Sequence, residues 1–308
     1  YLMTKFKPID CDIIYLSYDE PNAEQNYADL CKKVPWAKRV HGVEGSDAAH
    51  KACANLSETD RFITVDGDNR IREDFLNQVL DFDEHTDLQN TVISWCGKNE
   101  INGLTYGNGG LKCWPKKYVL NMRTHENADP NNKHAQVDFC WDAQYIQMNS
   151  CYSDVYNNHT SQQAWRAGFR EGVKLATDRG LRLSKEELKN NHWRCLHMLY
   201  VWSMIGADVE NGLWAVLGAR AGLYMTMCTD WDYVQVRDFE YLNSLWQQSF
   251  EGIQDVDYEI GEYGIKLINE LDIPIAKTPL DAQQSKFFKT VYQYTRQAST
   301  NQFIIDKE

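Results

Sequence analysis

The sequence predicts an α/β fold in its first half and a mainly helical region in its second. Short apolar runs suited to buried strands alternate with helix-period segments over about the first 70 residues. A further strand-like run begins at Thr91, and from Ser161 onward the apolar spacing becomes helical.

Each element has a local signal. Asp12-Ile-Ile-Tyr-Leu-Ser17 reads as a buried strand, and Asp19-Glu-Pro-Asn22 as a turn that caps a helix from Ala23 to Lys33. Ala37 to His41 is a second, weakly apolar strand. Gly45-Ser-Asp47 caps a helix from Ala48 to Leu56, with alanines at helical spacing. Arg61-Phe-Ile-Thr-Val65 is a third strand, stopped by Asp66-Gly-Asp-Asn69. This βαβαβ order predicts a parallel sheet covered by helices, with ligands gathering beyond the carboxyl ends of its strands. Ser17 to Glu20, Gly45 to His50 and Asp66 to Asn69 would all lie there.

A fourth strand, Thr91 to Trp95, leads into the glycine-rich stretch Asn102 to Lys112, and residues 124–136 read as polar loop. Ala164 to Thr177 forms an amphipathic helix, Trp193 to Gly206 and Gly212 to Met227 buried ones, and the tail from Glu240 to about Gln297 is polar and helical. The change of period near residue 160 divides the chain into 1–160 and 161–308.

Composition narrows the function classes. With 32 basic and 44 acidic residues the formal charge is −12, a surface that repels nucleic acid on average. One local exception runs from Ser161 to Tyr200, where eight basic residues (Arg166, Arg170, Lys174, Arg179, Arg182, Lys185, Lys189, Arg194) face four acids. It serves as a solvated helix face or as a basic groove. No apolar run is long enough to span a membrane, and Tyr1-Leu-Met-Thr-Lys-Phe-Lys7 lacks the apolar core of a secretory signal. Nine cysteines, an odd number with no close C-x-x-C pair, read as reduced thiols of a cytoplasmic protein. In that setting the sequons at Asn55 and Asn158 carry no glycan.

The strongest chemical signal is Val65-Asp66-Gly67-Asp68. Two carboxylates one residue apart at a strand end can converge on a hard divalent cation, which in turn can bridge the oxygens of a nucleotide-sugar diphosphate. Isolated D-x-D pairs are also common as turns and caps. The placement here, closing the third strand of a βα series, is what gives this one weight.

The ordered set Ile14-Tyr-Leu-Ser-Tyr-Asp-Glu-Pro-Asn-Ala23, Lys38-Arg-Val-His-Gly-Val43 and Val65-Asp-Gly-Asp68 resembles the nucleotide-binding half of GT-A glycosyltransferases. More narrowly, the chain is similar to glycosyltransferases carried by large-genome bacteriophages and related viruses. The similarity continues through Asn102 to Lys112, Val137-Asp138, Trp165 to Leu175, Ile205 to Asp208 and Gly218 to Gly222. It implies a GT-A (Rossmann-like) nucleotide-sugar-binding domain, a UDP-sugar or related donor, and Mn²⁺ or Mg²⁺ on Asp66 and Asp68.

The resemblance also implies roles for other residues. Ser17, Tyr18, Asp19 and Glu20 would receive the nucleobase and ribose, although the same letters make a turn and helix cap. Gly45, Ser46 and His50 open a helix whose amides favour an anion, with His50 a diphosphate contact or a structural histidine. The segment from Gly107 through Gly109 and Gly110 to Lys112 lacks a Walker ending; it would let backbone approach the sugar or acceptor, or form a plain hairpin. Asp138 is the expected base or nucleophile, with Asp142 as the alternative, and either also reads as a helix cap. His159 would complete the metal shell or sit as a loop histidine. Arg170 would clamp donor phosphates, or join Arg166 and Lys174 on one helix face against DNA.

The function expected is transfer of a hexose or pentose to a hydroxyl, with 5-hydroxymethylpyrimidine in phage DNA the first acceptor implied by the resemblance. A flipped base would need an aromatic pocket, for which Trp114, Trp141 and Trp165 are candidates or else core residues. A protein or glycan acceptor, and a degenerate nucleotide-sugar-binding protein, are the alternatives. A nucleotidyltransferase would want a basic glycine-rich loop after the first strand, and Ser-Tyr-Asp-Glu-Pro is not one.

Overall fold

The computed structural model describes residues 5–82, 87–107 and 110–292. The chain divides into two compact units, Tyr1–Asn99 with Thr105–Tyr156, and Glu100–Leu104 with Asn157–Glu308. The first is mixed α/β and the second is mainly helical.

The first unit opens as β1 (Asp12–Ser17), α1 (Ala23–Lys33), β2 (Lys38–His41), α2 (Ser46–Leu56) and β3 (Arg61–Asp66). Then come β4 (Asn69–Ile71), β5 (Thr91–Asn99), β6 (Thr105–Tyr106), β7 (Leu111–Pro115), α3 (Lys116–Asn121), α4 (Lys133–Val137) and β8 (Gln144–Val155). The sheet runs β2-β1-β3-β7-β5-β8-β4, with β6 beside β5. β1 is parallel to β2 and β3, and β5 is parallel to β8, but β7 enters antiparallel between β3 and β5.

The expected all-parallel sheet is therefore corrected to a mixed one. A lysine at its second position and a proline at its end kept Leu111-Lys-Cys-Trp-Pro115 from reading as a central strand. Alternation along the strands feeds both faces. Ile13, Tyr15, Ile63, Val65, Ile93, Trp95, Leu111 and Cys113 belong to one core cluster, while Ile14, Phe62, Val92 and Trp114 belong to the other.

The order of strands forces a curl. β3 and β4 are joined by only Gly67 and Asp68, yet three strands stand between them in the sheet. In a flat sheet four spacings would separate them by roughly 19 Å, whereas three residue steps reach at most about 11 Å. The sheet bends back on itself, and the side chain of Asn69 packs where a Cβ on Gly110, just ahead of β7, would stand. The Asp-Gly-Asp turn is the join.

The second unit contains α5 (Ser161–Leu175), α6 (Lys185–Lys189), α7 (Trp193–Met204), α8 (Gly212–Cys228), α9 (Phe239–Ser249), α10 (Val256–Leu271) and α11 (Ala282–Phe287). α5 and α8 approach to backbone contact. A Cβ on Gly168 or Gly172 would collide with the carbonyls of Ala215 and Ala219, and one on Gly218 or Gly222 with those of Trp165 and Phe169. Arg220 is fully buried on α8 and donates to the carbonyls of Ser203 (2.9 Å), Ile260 (2.9 Å), Ala276 (2.9 Å) and Lys277 (2.6 Å). Burial pulls its guanidinium down to about 10, still cationic at neutral pH. Among the described residues no helix is long and apolar enough to cross a membrane, and all nine cysteines are free thiols.

Because the α5–α8 crossing has no room for a side chain, Gly218→Val should destabilise the protein by about 1–3 kcal/mol or more. Gly252→Ala, where a Cβ meets nothing within 4 Å, is the control. Equal urea midpoints for the two variants would contradict the packing argument.

Candidate active site

The Asp-Gly-Asp turn is held by its main chain. The Gly67 carbonyl accepts from the Tyr15 hydroxyl (2.6 Å) and from the Asn26 amide (2.9 Å). The Asp66 amide donates to the Gly110 carbonyl (2.9 Å), and the Tyr156 amide donates to the Asp68 carbonyl (2.7 Å). Asn69 Nδ2 donates to Asp68 Oδ1 at 2.7 Å. Asn22, expected as the cap of α1, makes no side-chain cap; it donates instead to the Tyr156 carbonyl at 2.8 Å.

Around this turn the loop after β1 gathers charge. The Glu20 carboxyl packs directly on Gly67 and accepts from the Tyr18 amide at 2.8 Å. Burial raises its pKa against the pull of that bond, and the charges of Asp68 and Asp19 push the same way. Ser17 is buried, its Oγ 2.9 Å from His41 Nδ1 and accepting from Arg39 Nε at 3.2 Å. Arg39 lies over the rings of Tyr15 and Tyr27 and pairs with Glu24 at 2.7 Å. Tyr18 is half-buried and Asp19 exposed on the same loop. Arg39 and His41 stand in a motif that the sequence reading used only for its likeness, without a role for either side chain.

The helix N-terminus expected to take an anion already has one. Glu126 accepts from the amides of Asp47 (3.1 Å) and Ala48 (2.9 Å), and its carboxylate fills the space a Cβ on Gly45 would take. Gly45 and Ser46 thus open α2 onto a carboxylate of the chain itself, which satisfies the first-turn amides. His50 is 8% exposed, with its ring 4.2 Å from Phe139 and 5.2 Å from Trp114 by centroid, and Nδ1 is 2.8 Å from the Ser46 carbonyl. Burial pulls its pKa down to about 4. Of the two expectations for His50, its burial among these rings fits the structural histidine.

Lys112 lies opposite Thr64 on β3 and Ser94 on β5, so strand pairing puts it on the same sheet face as Asp66 and Trp114. It is 9% exposed, its ammonium 5.3 Å from the Trp114 ring centre and 5.9 Å from that of Tyr145. Burial works against its charge, but the fields of Cys140, Tyr145, Asp66 and Asp138 outweigh it, and the pKa stands above the ordinary lysine value. Gly110 adjoins the turn, and Gly109 lies outside the described residues.

Asp138 follows α4. Its Oδ1 accepts from the Cys140 amide at 2.9 Å and its Oδ2 is 3.1 Å from His134 Nε2. Asp142 accepts from the Tyr118 hydroxyl at 2.9 Å. Asp66, Lys112 and Asp138 therefore come together electrostatically, while Asp142 is tied to α3. His134 was missed because residues 124–136 were read as loop; the i,i+4 spacing to Asp138 is the signal that was available.

The remaining expected residues belong to the second unit. His159 is exposed and donates its amide to Gln163 at 2.8 Å, ahead of α5. Arg170 and Arg166 both lie over the Phe239 ring, at 4.9 and 4.5 Å. Arg166 is only 8% exposed, and Lys174 pairs with Glu171 at 2.8 Å. The expected stripe of Arg166, Arg170 and Lys174 is not open along its length: Arg166 is buried, whereas Lys174 is exposed and pairs with Glu171. Trp114 and Trp165 are fully buried in the two cores, leaving Trp141, 36% exposed, as the accessible one of the three tryptophans.

Among the described residues no three His, Cys, Asp or Glu side chains form a metal-holding cluster. The donor chemistry at the turn is nonetheless hard oxygen, supplied by Asp66 and Asp68. A cation there would take its other ligands from water or a bound anion.

No protein-family model matches the chain, and no curated protein matches it. Solved structures that match include HddC from Yersinia pseudotuberculosis, at 18% identity over 46% of this chain and 69% of that one, with a TM-score of 0.26. Another is a glycosyltransferase involved in the glycosylation of the major capsid of PBCV-1, at 15% identity over 44% of this chain and 82% of that one, with a TM-score of 0.26.

The depressed His50 sets a pH dependence. The unfolded imidazole takes up its proton near pH 6.5 and the folded one only near pH 4. Its contribution to stability is whole above pH 6.5 and is lost as pH falls from there toward 4. Urea unfolding at pH 7.5 and 4.5 should show a smaller acid loss for His50→Phe than for the parent; equal losses would remove the buried-neutral assignment.

Proposed function

We propose that the protein is a metal-dependent GT-A glycosyltransferase that moves a sugar from a nucleotide diphosphate donor, such as a UDP-sugar, to a hydroxyl. The observation that carries this reading is the Asp66-Gly67-Asp68 turn, held by main-chain bonds at the carboxyl end of β3. Fixed carboxylates at that position suit a cation that must meet a diphosphate in one orientation.

Asp66 and Asp68 would hold Mn²⁺ or Mg²⁺, which supplies neutralising charge for the departing diphosphate. Ser17 to Glu20, backed by Arg39 and His41, form the wall for the nucleoside. Asp138, fixed by the Cys140 amide and beside His134, is the carboxylate that accepts the proton of the attacking hydroxyl. Its half-exposed position leaves room for an acceptor.

The first acceptor to test is 5-hydroxymethylpyrimidine in DNA. The burial of Arg166 and the charge of −12 favour a second reading, a hydroxyl on a protein or glycan. A mass-spectrometric screen of nucleotide-sugars against hydroxymethylated DNA, unmodified DNA and glycan acceptors separates the two.

Asp68→Asn should abolish Mn²⁺-dependent donor hydrolysis, and Asp66→Asn should reduce it less severely, both with unchanged melting. Full activity of Asp68→Asn in excess EDTA would remove the metal site. Asp138→Asn should lower turnover about a hundredfold while donor affinity is kept. Wild-type turnover there, with Asp142→Asn inactive, would move the base to Asp142.

A further inference from the structure

A buried cation is disfavoured unless something anionic answers it, because the ammonium loses its hydration shell and gains little in return. Lys112 is such a group. It is 9% exposed on a central strand and makes no salt bridge among the described residues. Its immediate neighbours are the Trp114 and Tyr145 rings. Aromatic faces attract a cation without neutralising it. The carboxylates of Asp66 and Asp138 contribute through the field rather than by a salt bridge.

The rest of the sheet gives no structural reason for a charge there. Lys112 stands opposite Thr64 and Ser94, and Thr64 spends its hydroxyl accepting from Trp114 Nε1 at 2.8 Å. The buried Ser94 hydroxyl faces the Tyr145 hydroxyl, not the ammonium. The rim is open: Tyr145 is 40% exposed and the Asp138 side chain 44%.

We propose that Lys112 is an anion-binding residue that contacts a phosphoryl oxygen of the donor diphosphate directly, on the sheet face shared with Asp66. The assignment rests on the donor class proposed above and adds a protein cation to the metal as a partner for the leaving group. It gives the chain an affinity for diphosphate that does not require a divalent ion. The ammonium, fixed by the two rings, would donate to an oxygen that gains charge as the glycosidic bond breaks.

The test uses the full chain and pyrophosphate as probe, titrated calorimetrically in EDTA. The parent should bind, Lys112→Met should lose about tenfold or more of that affinity, and Lys112→Arg should keep most of it. A cooperative melting transition of Lys112→Met checks that the variant is folded. Should Lys112→Met fail to fold, Lys112→Gln is read in the same way. Pyrophosphate affinity unchanged in the neutral variant, or no binding by the parent in EDTA, overturns the proposal. Binding of glucuronate but not pyrophosphate overturns it too, because the cation would then serve a sugar carboxylate. The glycosyltransferase reading is tested separately by Mn²⁺-dependent hydrolysis of a nucleotide-sugar. Lys112-dependent pyrophosphate binding without such hydrolysis sinks that reading and leaves the anion site standing.

Discussion

The carbonyl of Gly67 organises the first unit. Two side chains from the opening βα segment, Tyr15 and Asn26, reach it at 2.6 and 2.9 Å. Through them the core strand β1 and the first helix both fix one peptide of the Asp-Gly-Asp turn. Burial and the nearby Glu20 and Asp68 carboxylates hold the Tyr15 phenol far above its ordinary pKa, so it remains a donor throughout the physiological range. Asn26 is itself fully buried and accepts from Arg70 Nε at 2.8 Å, which ties β4, just past the turn, to the same helix. The turn that carries the two acidic side chains is fixed through its backbone as well as through the bond from Asn69 to Asp68.

The sequence was most legible where period and punctuation agree. β1, α1 and the third strand stand where alternation and turn residues put them, as do the helices beginning at Trp193 and Gly212. The central strand β7 was not legible, because its charged residue contradicts the pattern of a buried strand. That residue is Lys112, and the local rule fails there for the same reason that the position is chemically interesting. β8 gave no clear strand signal: few of its side chains are buried, and a bulge interrupts its pairing with β5.

Site residues divide along similar lines. The Asp66 and Asp68 pair could be picked out because a strand end and a carboxylate spacing are both local features. Glu126 could not, since its role on α2 comes from a loop 79 residues downstream of Asp47, and nothing near either partner announces the other. His50 looked like a ligand because it stands one turn into a helix that faces the ligand end of the sheet. The rings of Phe139 and Trp114 that enclose it come from elsewhere in the chain. The glycines of α5 and α8 read as part of a family likeness, but they are needed because two backbones meet there.

The curl of the sheet also bears on the order in which the molecule can be made. β4 finds its hydrogen-bonding partner only in Ser153 to Val155, although it leaves β3 after two residues. Until the ribosome has delivered roughly twice the length of chain that carries the turn, β4 has no neighbour and the Asp68 carbonyl lacks the Tyr156 amide. The opening three-stranded segment can collapse early, since its contacts are local. The Gly67 peptide can be held from the start by Tyr15 and Asn26, but its two neighbours gain their main-chain partners only from Gly110 and Tyr156. The last residue of the first unit, Tyr156, thus closes a turn laid down near residue 67.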